Sequence, residues 1–334
     1  MRITRDTLLK NARTFVAQRI RSDMDLVAVY VVGSLLTAEP LLGGTTDIDL
    51  VFIHAQDVYT PREVIRISPE VSFDIAHFSQ NQFYQPRHLR QHPWIGPSIY
   101  ASRIALHDLQ HWFEFNQASI SAQFLRPENV AERARQFEEQ ARDLWMELQG
   151  QEPTPETVYA FLKAAGLAAN AIACLDGPPL TDRRFLLDLP PRMEASGSAG
   201  LTTGFLGLLG ANQADPEEMR AWLPAWKDAL KAVALLPECP VNLKSPRLLY
   251  HSAGVEALLG GDLPAAALWP LLRTWTRALL PAEMAAHLPA WQESCARLGL
   301  NGGAFGEKID ALDAYLDTIE EALDAWEKRN GISR

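Results

Sequence analysis

Two aspartates spaced two apart, Asp47 and Asp49, follow Thr45-Thr46 and run into an apolar stretch, Leu50-Val51-Phe52-Ile53. In an extended chain, side chains two apart point to the same side. Asp47 and Asp49 therefore project together, while Ile48 and Leu50 turn toward a core. Two carboxylates held side by side repel unless a cation sits between them. A divalent ion is the usual answer, and Mg²⁺ takes hard carboxylate oxygens together with substrate phosphates. A third carboxylate, Asp74, lies in a second alternating segment, with Val71, Phe73, Ile75 and Phe78 set against Ser72, Asp74 and Ala76. Upstream, the apolar run Leu26 to Val32 ends in Gly33-Ser34. The glycine lets a backbone approach a phosphate, and the serine hydroxyl and amide can bind it, at a helix N-terminus if one follows. Phosphoryl and nucleotidyl transfer needs charge neutralisation and in-line positioning more than covalent chemistry from the protein. Two metal ions held by such carboxylates can bind the attacking and leaving oxygens.

The surrounding pattern supplies elements to hold these groups. Thr7 to Ile20 reads as an amphipathic helix with Leu9, Ala12, Phe15, Val16 and Ile20 on one face. Leu26 to Val32 reads as a buried strand, and Leu35 to Pro40 as a short helix cut by its proline. Gly43-Gly44 turns the chain into the Asp-x-Asp strand. Residues 63–67 and 71–78 predict two more strands, Asn81 to Arg90 a helix, and Ser98 to Leu106 a further strand. Beyond Arg126-Pro127 the period changes to that of helices: Val130–Gln149, Val158–Leu175 (rich in alanine), Pro216–Leu236, Leu268–Leu280, Pro281–Leu298 and Gly306–Asn330, with a loop over 195–204. The expected organisation is an α/β domain with a mixed sheet over 1–115, then an all-α helical-bundle region over 116–334 with room for two subdomains.

Gly33-Ser34, a spacer, Thr46 before Asp47-x-Asp49, an apolar strand and then Asp74 within a later strand together resemble the DNA polymerase β-like nucleotidyltransferase superfamily. The resemblance covers roughly residues 25–110. The spacer between Ser34 and Asp47 is longer than in compact members, and the helical region that follows is more like the minimal and antibiotic nucleotidyltransferases than the polymerases. The resemblance implies a nucleotidyltransferase domain that takes ATP or another NTP as co-substrate and two Mg²⁺ ions. Asp47 and Asp49 would bind both metals and Asp74 the catalytic one. Gly33, Ser34 and Thr46 would line the triphosphate site. The helical region would supply the acceptor site. The acceptor hydroxyl would belong to an aminoglycoside-like small molecule or to a protein. The rival from another class is a catalytically silent, nucleotide-binding regulatory protein. A helical scaffold with an incidental Asp-x-Asp is the third alternative.

Other residues carry weaker signals. Lys163 is a candidate for nucleotide phosphate or ribose, or else a solvent-facing lysine. Arg183-Arg184 could take a phosphate bidentately, or form a salt bridge at a helix start. Asp108 is better read as a helix N-cap than as a site residue. His54, His77, His88, His92 and His107 match no standard zinc spacing. Glu138 or Glu139 could serve as a general base, with nothing to choose between them. Trp269, Trp275 and Trp291 read as helical core.

Composition limits the functional classes. The 334 residues carry a net charge of -10, which argues against a broad nucleic-acid surface and would suit a cationic substrate. Three scattered cysteines fit neither a disulfide framework nor a zinc site. No apolar signal core is visible at the N-terminus and no run reads as clean enough to span a bilayer, so a soluble cytoplasmic protein without a membrane partner is expected.

Overall fold

The computed structural model describes residues 3–332. The chain divides into two compact units, Met1–Leu125 and Arg126–Arg334.

The first unit is built on a mixed five-stranded sheet. Helix α1 (Arg5–Ser22) leads into strands β1 (Leu26–Val32), β2 (Thr46–His54), β3 (Arg62–Arg66) and β4 (Val71–Ser79). Helix α2 (Ile95–Ala101), strand β5 (Ala105–Asp108) and helix α3 (Trp112–Ser121) follow. The strand order is β3-β4-β2-β1-β5. β2 pairs with β4 in parallel, and the other three pairings are antiparallel.

Period-two alternation assigns the two faces of the sheet. Ile48, Leu50 and Phe52 of β2 join Val29, Val31, Phe73 and Ile75 beneath Leu8, Leu9, Ala12 and Val16 of α1. Helix α1 starts on a reciprocal capping box between Thr4 and Thr7, which satisfies two backbone donors that the helix cannot. On the opposite face, Ala28, Tyr30, Val51 and Ile53 pack with Ile99 of α2 and with Phe113 and Ile120 of α3. Each such burial contributes about 1.5–3 kcal/mol, so the sheet is held from both sides. Phe113, Ile120 and Phe124 belong to this core, which is why the first unit runs to Leu125 and not to the boundary expected after residue 115.

Several local expectations change. Residues 33–36 form a single 3-10 turn in place of a helix to Pro40. Asn81 to Arg90 holds two short 3-10 turns, Gln80–Phe83 and His88–Arg90. The strand expected over Ser98–Leu106 splits into α2 and the short β5, because Ile99 and Gly96-Pro97 are buried as a helical turn against the sheet. Phe78 lies on the same side of β4 as Asp74, two steps of two away, and joins the α2/α3 face. His77 takes the α1 side and packs on Phe52.

The second unit is helical and clusters as one body. Its helices are α4 (Pro127–Leu148), α5 (Pro155–Ala173), α6 (Phe185–Ala195), α7 (Gly200–Leu208), α8 (Pro216–Val233), α9 (Leu248–Leu259), α10 (Leu268–Ala278), α11 (Leu288–Arg297) and α12 (Ala304–Arg329). Helix α7 replaces the second half of the loop expected over 195–204. Helix α5 is its centre, with Ala164, Ala165, Ala168, Ala169, Ala171 and Ala173 all buried. Small residues let neighbours approach closely: a Cβ on Gly166 would lie 2.9 Å from the Trp269 ring. The segment Pro155–Asp176 is long and apolar enough to cross a membrane by length and composition alone, and 78% of its apolar window is buried within the protein. Along α12, Ile309, Leu312, Leu316, Ile319 and Leu323 form the expected buried seam. Beside it Arg142 of α4 reaches Asp313 at 2.7 Å and Asp317 at 2.9 Å, and Arg135 reaches Glu327 at 2.9 Å.

Candidate metal centre

The strand register brings the three aspartates together. In the parallel pair β2/β4, Asp49 stands directly opposite Asp74, and Asp47 opposite Ser72. All three carboxylates project from the α2/α3 side at the start of β2. One oxygen from each lies within 4.8 Å of the others. Asp47 and Asp74 are 4% and 2% exposed, and Asp49 is half-buried. Burying charges of one sign is costly unless something cationic balances them. An all-oxygen, carboxylate donor set suits a hard divalent ion such as Mg²⁺ or Mn²⁺ better than zinc. These three residues could hold a metal ion.

Gly33 shapes the edge of this group. β1 ends at Val32, whose partner on β2 is Asp49. Gly33 then turns away with φ +71, in the left-handed region. A Cβ at this position would lie 2.0 Å from Oδ2 of Asp49. Glycine is therefore required twice over, by the backbone angle and by the carboxylate lying against it. Gly33 itself is exposed and Ser34 half-buried. The Ser34 hydroxyl lies 3.3 Å from that of Thr46. Thr46 is buried and donates to the Pro40 carbonyl at 2.9 Å, so it braces the 33–46 connection from inside.

One member of the centre was not anticipated. Arg62, on the edge strand β3, donates from Nε to Asp74 Oδ1 at 2.6 Å and from Nη2 to Oδ2 at 2.8 Å. β3 and β4 form an antiparallel hairpin in which Val64 faces Asp74 and Arg62 faces Ala76. Arg62 thus reaches Asp74 along the diagonal, a separation that long side chains span. The signal was present in the sequence as an alternating Arg62-x-Val64-x-Arg66 strand before a tight turn. The contact depends on the hairpin register, which the sequence alone did not specify.

The remaining candidates sit elsewhere. Lys163 is an exposed position of α5 in the helical unit. Arg183 lies over the Tyr250 ring, 3.7 Å from its centroid, and donates to the Tyr250 carbonyl at 3.0 Å. Arg184 lies near Asp188, whose carboxyl is pushed up by burial against the opposing pull of Arg184 and Arg192. Glu138 is buried next to Arg142, and its carboxyl is raised by burial and by the Glu320 charge. Glu139 is exposed. Asp108 does not sit at the N-cap position of α3, which is His111; from the end of β5 it accepts from the Phe113 and Glu114 amides of the first turn of α3 at 2.7 and 3.2 Å. It also groups with His111 and Glu114 as residues that could hold a metal ion, and each of its oxygens already accepts one backbone amide. Trp269, Trp275 and Trp291 are buried core.

Two histidines do meet. His54 Nε2 and His77 Nδ1 are 2.9 Å apart, and His77 Nε2 lies 3.3 Å from Glu63. His92 instead accepts from the Trp94 and Ile95 amides at the start of α2, and His107 lies 3.3 Å from the Leu26 carbonyl. The three cysteines are free and buried.

No protein-family model matches the chain, and no curated protein matches it either.

Proposed function

We propose that this chain is a Mg²⁺-dependent nucleotidyltransferase that moves a nucleoside monophosphate, AMP from ATP, to a hydroxyl acceptor, with pyrophosphate as the leaving group. The observation that carries the reading is the convergence of Asp47, Asp49 and Asp74 from two parallel strands, with oxygens within 4.8 Å, beside the glycine turn at Gly33. Asp47 and Asp49 would hold both metal ions, and Asp74 the catalytic one. The bound ions supply charge neutralisation for the attacking and leaving oxygens. Gly33 leaves an exposed backbone beside Asp49 for a phosphate to approach, and Ser34 offers its hydroxyl and amide. Thr46 keeps that turn in place. The acceptor is a polycationic small molecule or a protein hydroxyl, and the net charge of -10 favours the former.

One observation favours a second reading. Arg62 already neutralises Asp74, as it would in a pocket that binds nucleotide without transferring it. Titration calorimetry with ATP, with and without Mg²⁺, tests the metal role: binding should require Mg²⁺, and equal affinity in both conditions refutes it. Labelled-ATP transfer to aminoglycosides and to cell lysate then separates the two readings. Mg²⁺-dependent binding without any labelled product supports the regulatory protein.

A further inference from the structure

Arg62 places a guanidinium on the carboxylate group, and it is built differently from its partner. Asp74 is 2% exposed in its side chain, whereas Arg62 is 50% exposed on an edge strand. The acid is fixed and the base can leave. The contact is a two-point fork, with Nε on one oxygen and Nη2 on the other, so Arg62 engages both oxygens that Asp74 would offer to a metal ion. Charge balance gives the contact a direction. Three carboxylates with Arg62 in place are partly neutralised. Two divalent ions added to that arrangement would exceed the carboxylate charge and sit close to a fixed guanidinium. An incoming triphosphate removes the conflict, because it brings negative charge and planar oxygen pairs that a guanidinium binds in the same bidentate way.

We propose that Arg62 is a phosphate-binding residue that is exchanged between two partners. In the metal-free protein it holds Asp74. When metal and nucleotide enter together, it releases Asp74 to the metal and transfers its two N–H donors to a phosphate of the nucleotide. No bond is made or broken beyond these hydrogen bonds. The consequence is ordered loading: metal alone binds poorly, and metal with nucleotide binds well. This inference rests on the nucleotidyltransferase reading of the site.

The test measures Mn²⁺ binding to the full chain by electron paramagnetic resonance, alone and with a nonhydrolysable ATP analogue. Arg62→Gln should bind Mn²⁺ alone at least about tenfold more tightly than wild type, because a positive charge has left the site. The same variant should bind the Mn²⁺–nucleotide complex several-fold more weakly. Arg62→Lys keeps the charge but loses the fork, so it should weaken the nucleotide complex while changing the affinity for Mn²⁺ alone less. It also provides the comparison should the glutamine variant melt early. Unchanged Mn²⁺ affinity in Arg62→Gln overturns the hold on Asp74. Unchanged nucleotide affinity in both variants overturns the transfer to phosphate. A wild type that binds neither Mn²⁺ nor nucleotide refutes the underlying functional reading, a result distinct from the other two.

Discussion

Gly33→Ala is the sharpest perturbation of the centre that leaves every carboxylate in place. At φ +71 a residue with a Cβ pays about 1–2 kcal/mol in backbone strain. The new Cβ would also stand 2.0 Å from Oδ2 and 2.7 Å from Cγ of Asp49, where ordinary contact begins at 3.4 Å. The Asp49 carboxylate must therefore move by more than an ångström. Turning it off its rotamer adds about 0.5–1.5 kcal/mol. The total is about 2–3 kcal/mol, which lowers the melting temperature by on the order of 5–10 °C. Metal binding should fall further than stability, since the displaced group is a ligand. A double-mutant cycle isolates the contact. In an Asp49→Ala background the nearest remaining atom is the Cβ, at 3.1 Å, so the glycine substitution should cost little beyond its backbone strain. A coupling of about 1 kcal/mol is expected, above the roughly 0.3–0.5 kcal/mol scatter of independent sites. If Gly33→Ala costs the same in both backgrounds and leaves Mn²⁺ affinity unchanged, the carboxylate does not lie against Gly33 and the centre is not built as described.

Three further outcomes are expected. Asp49→Asn preserves shape but removes a charge, so metal-dependent nucleotide binding and transfer should be lost while the melting temperature stays level or rises slightly; wild-type transfer by this variant removes Asp49 from the metal ligands. Burial and the adjacent His77 hold His54 below its ordinary value of 6.5, against the opposing pull of Asp23 and Asp25, with Arg19 adding to the depression. A depressed imidazole contributes stability above 6.5 that is lost as pH falls toward its folded value, so melting temperature should drop below pH 6.5 and His54→Gln should flatten that part of the profile; an unchanged slope in the variant rejects the assignment. Asp108→Ala removes the acceptor of the first-turn amides of α3 and should cost about 1 kcal/mol, read by urea unfolding, with Asp108→Asn largely retaining the stability.

The sequence revealed elements where periodicity and burial agree. The α12 seam and the alanine-rich α5 were legible because one pattern ran for many turns. Helix α7 was not, because Gly200 and Gly204 read as loop residues; it forms because Leu201, Phe205 and Leu208 bury one face. Tertiary packing overrode propensity there. The short α2 failed for the opposite reason: Ser98 to Leu106 has strand-like residues, but Ile99 packs as part of a helical turn. Arg183 was legible as a cation but not as one stacked on Tyr250, a residue far away in sequence.

In the centre itself, legibility follows the range of the interaction. Spacing by two fixes which side of a strand a residue takes, so the shared side of Asp47 and Asp49 could be read locally. The placement of Asp74 needed one further fact, that β2 and β4 are parallel neighbours in the register that pairs it with Asp49. Arg62 needed two: the β3/β4 hairpin register and the diagonal reach of its side chain. The anionic half of the site is therefore written into one strand pair, while its counter-charge comes from the sheet edge. The Gly33–Asp49 connection contains no Lys or Arg, which from the sequence left a metal ion as the sole evident balance for three carboxylates. Arg62 supplies part of that balance through its contact with Asp74. If Arg62 gives up Asp74 only when nucleotide enters, melting temperature should respond little to Mg²⁺ alone and more to Mg²⁺ with nucleotide, since only a ligand that binds the folded state stabilises it.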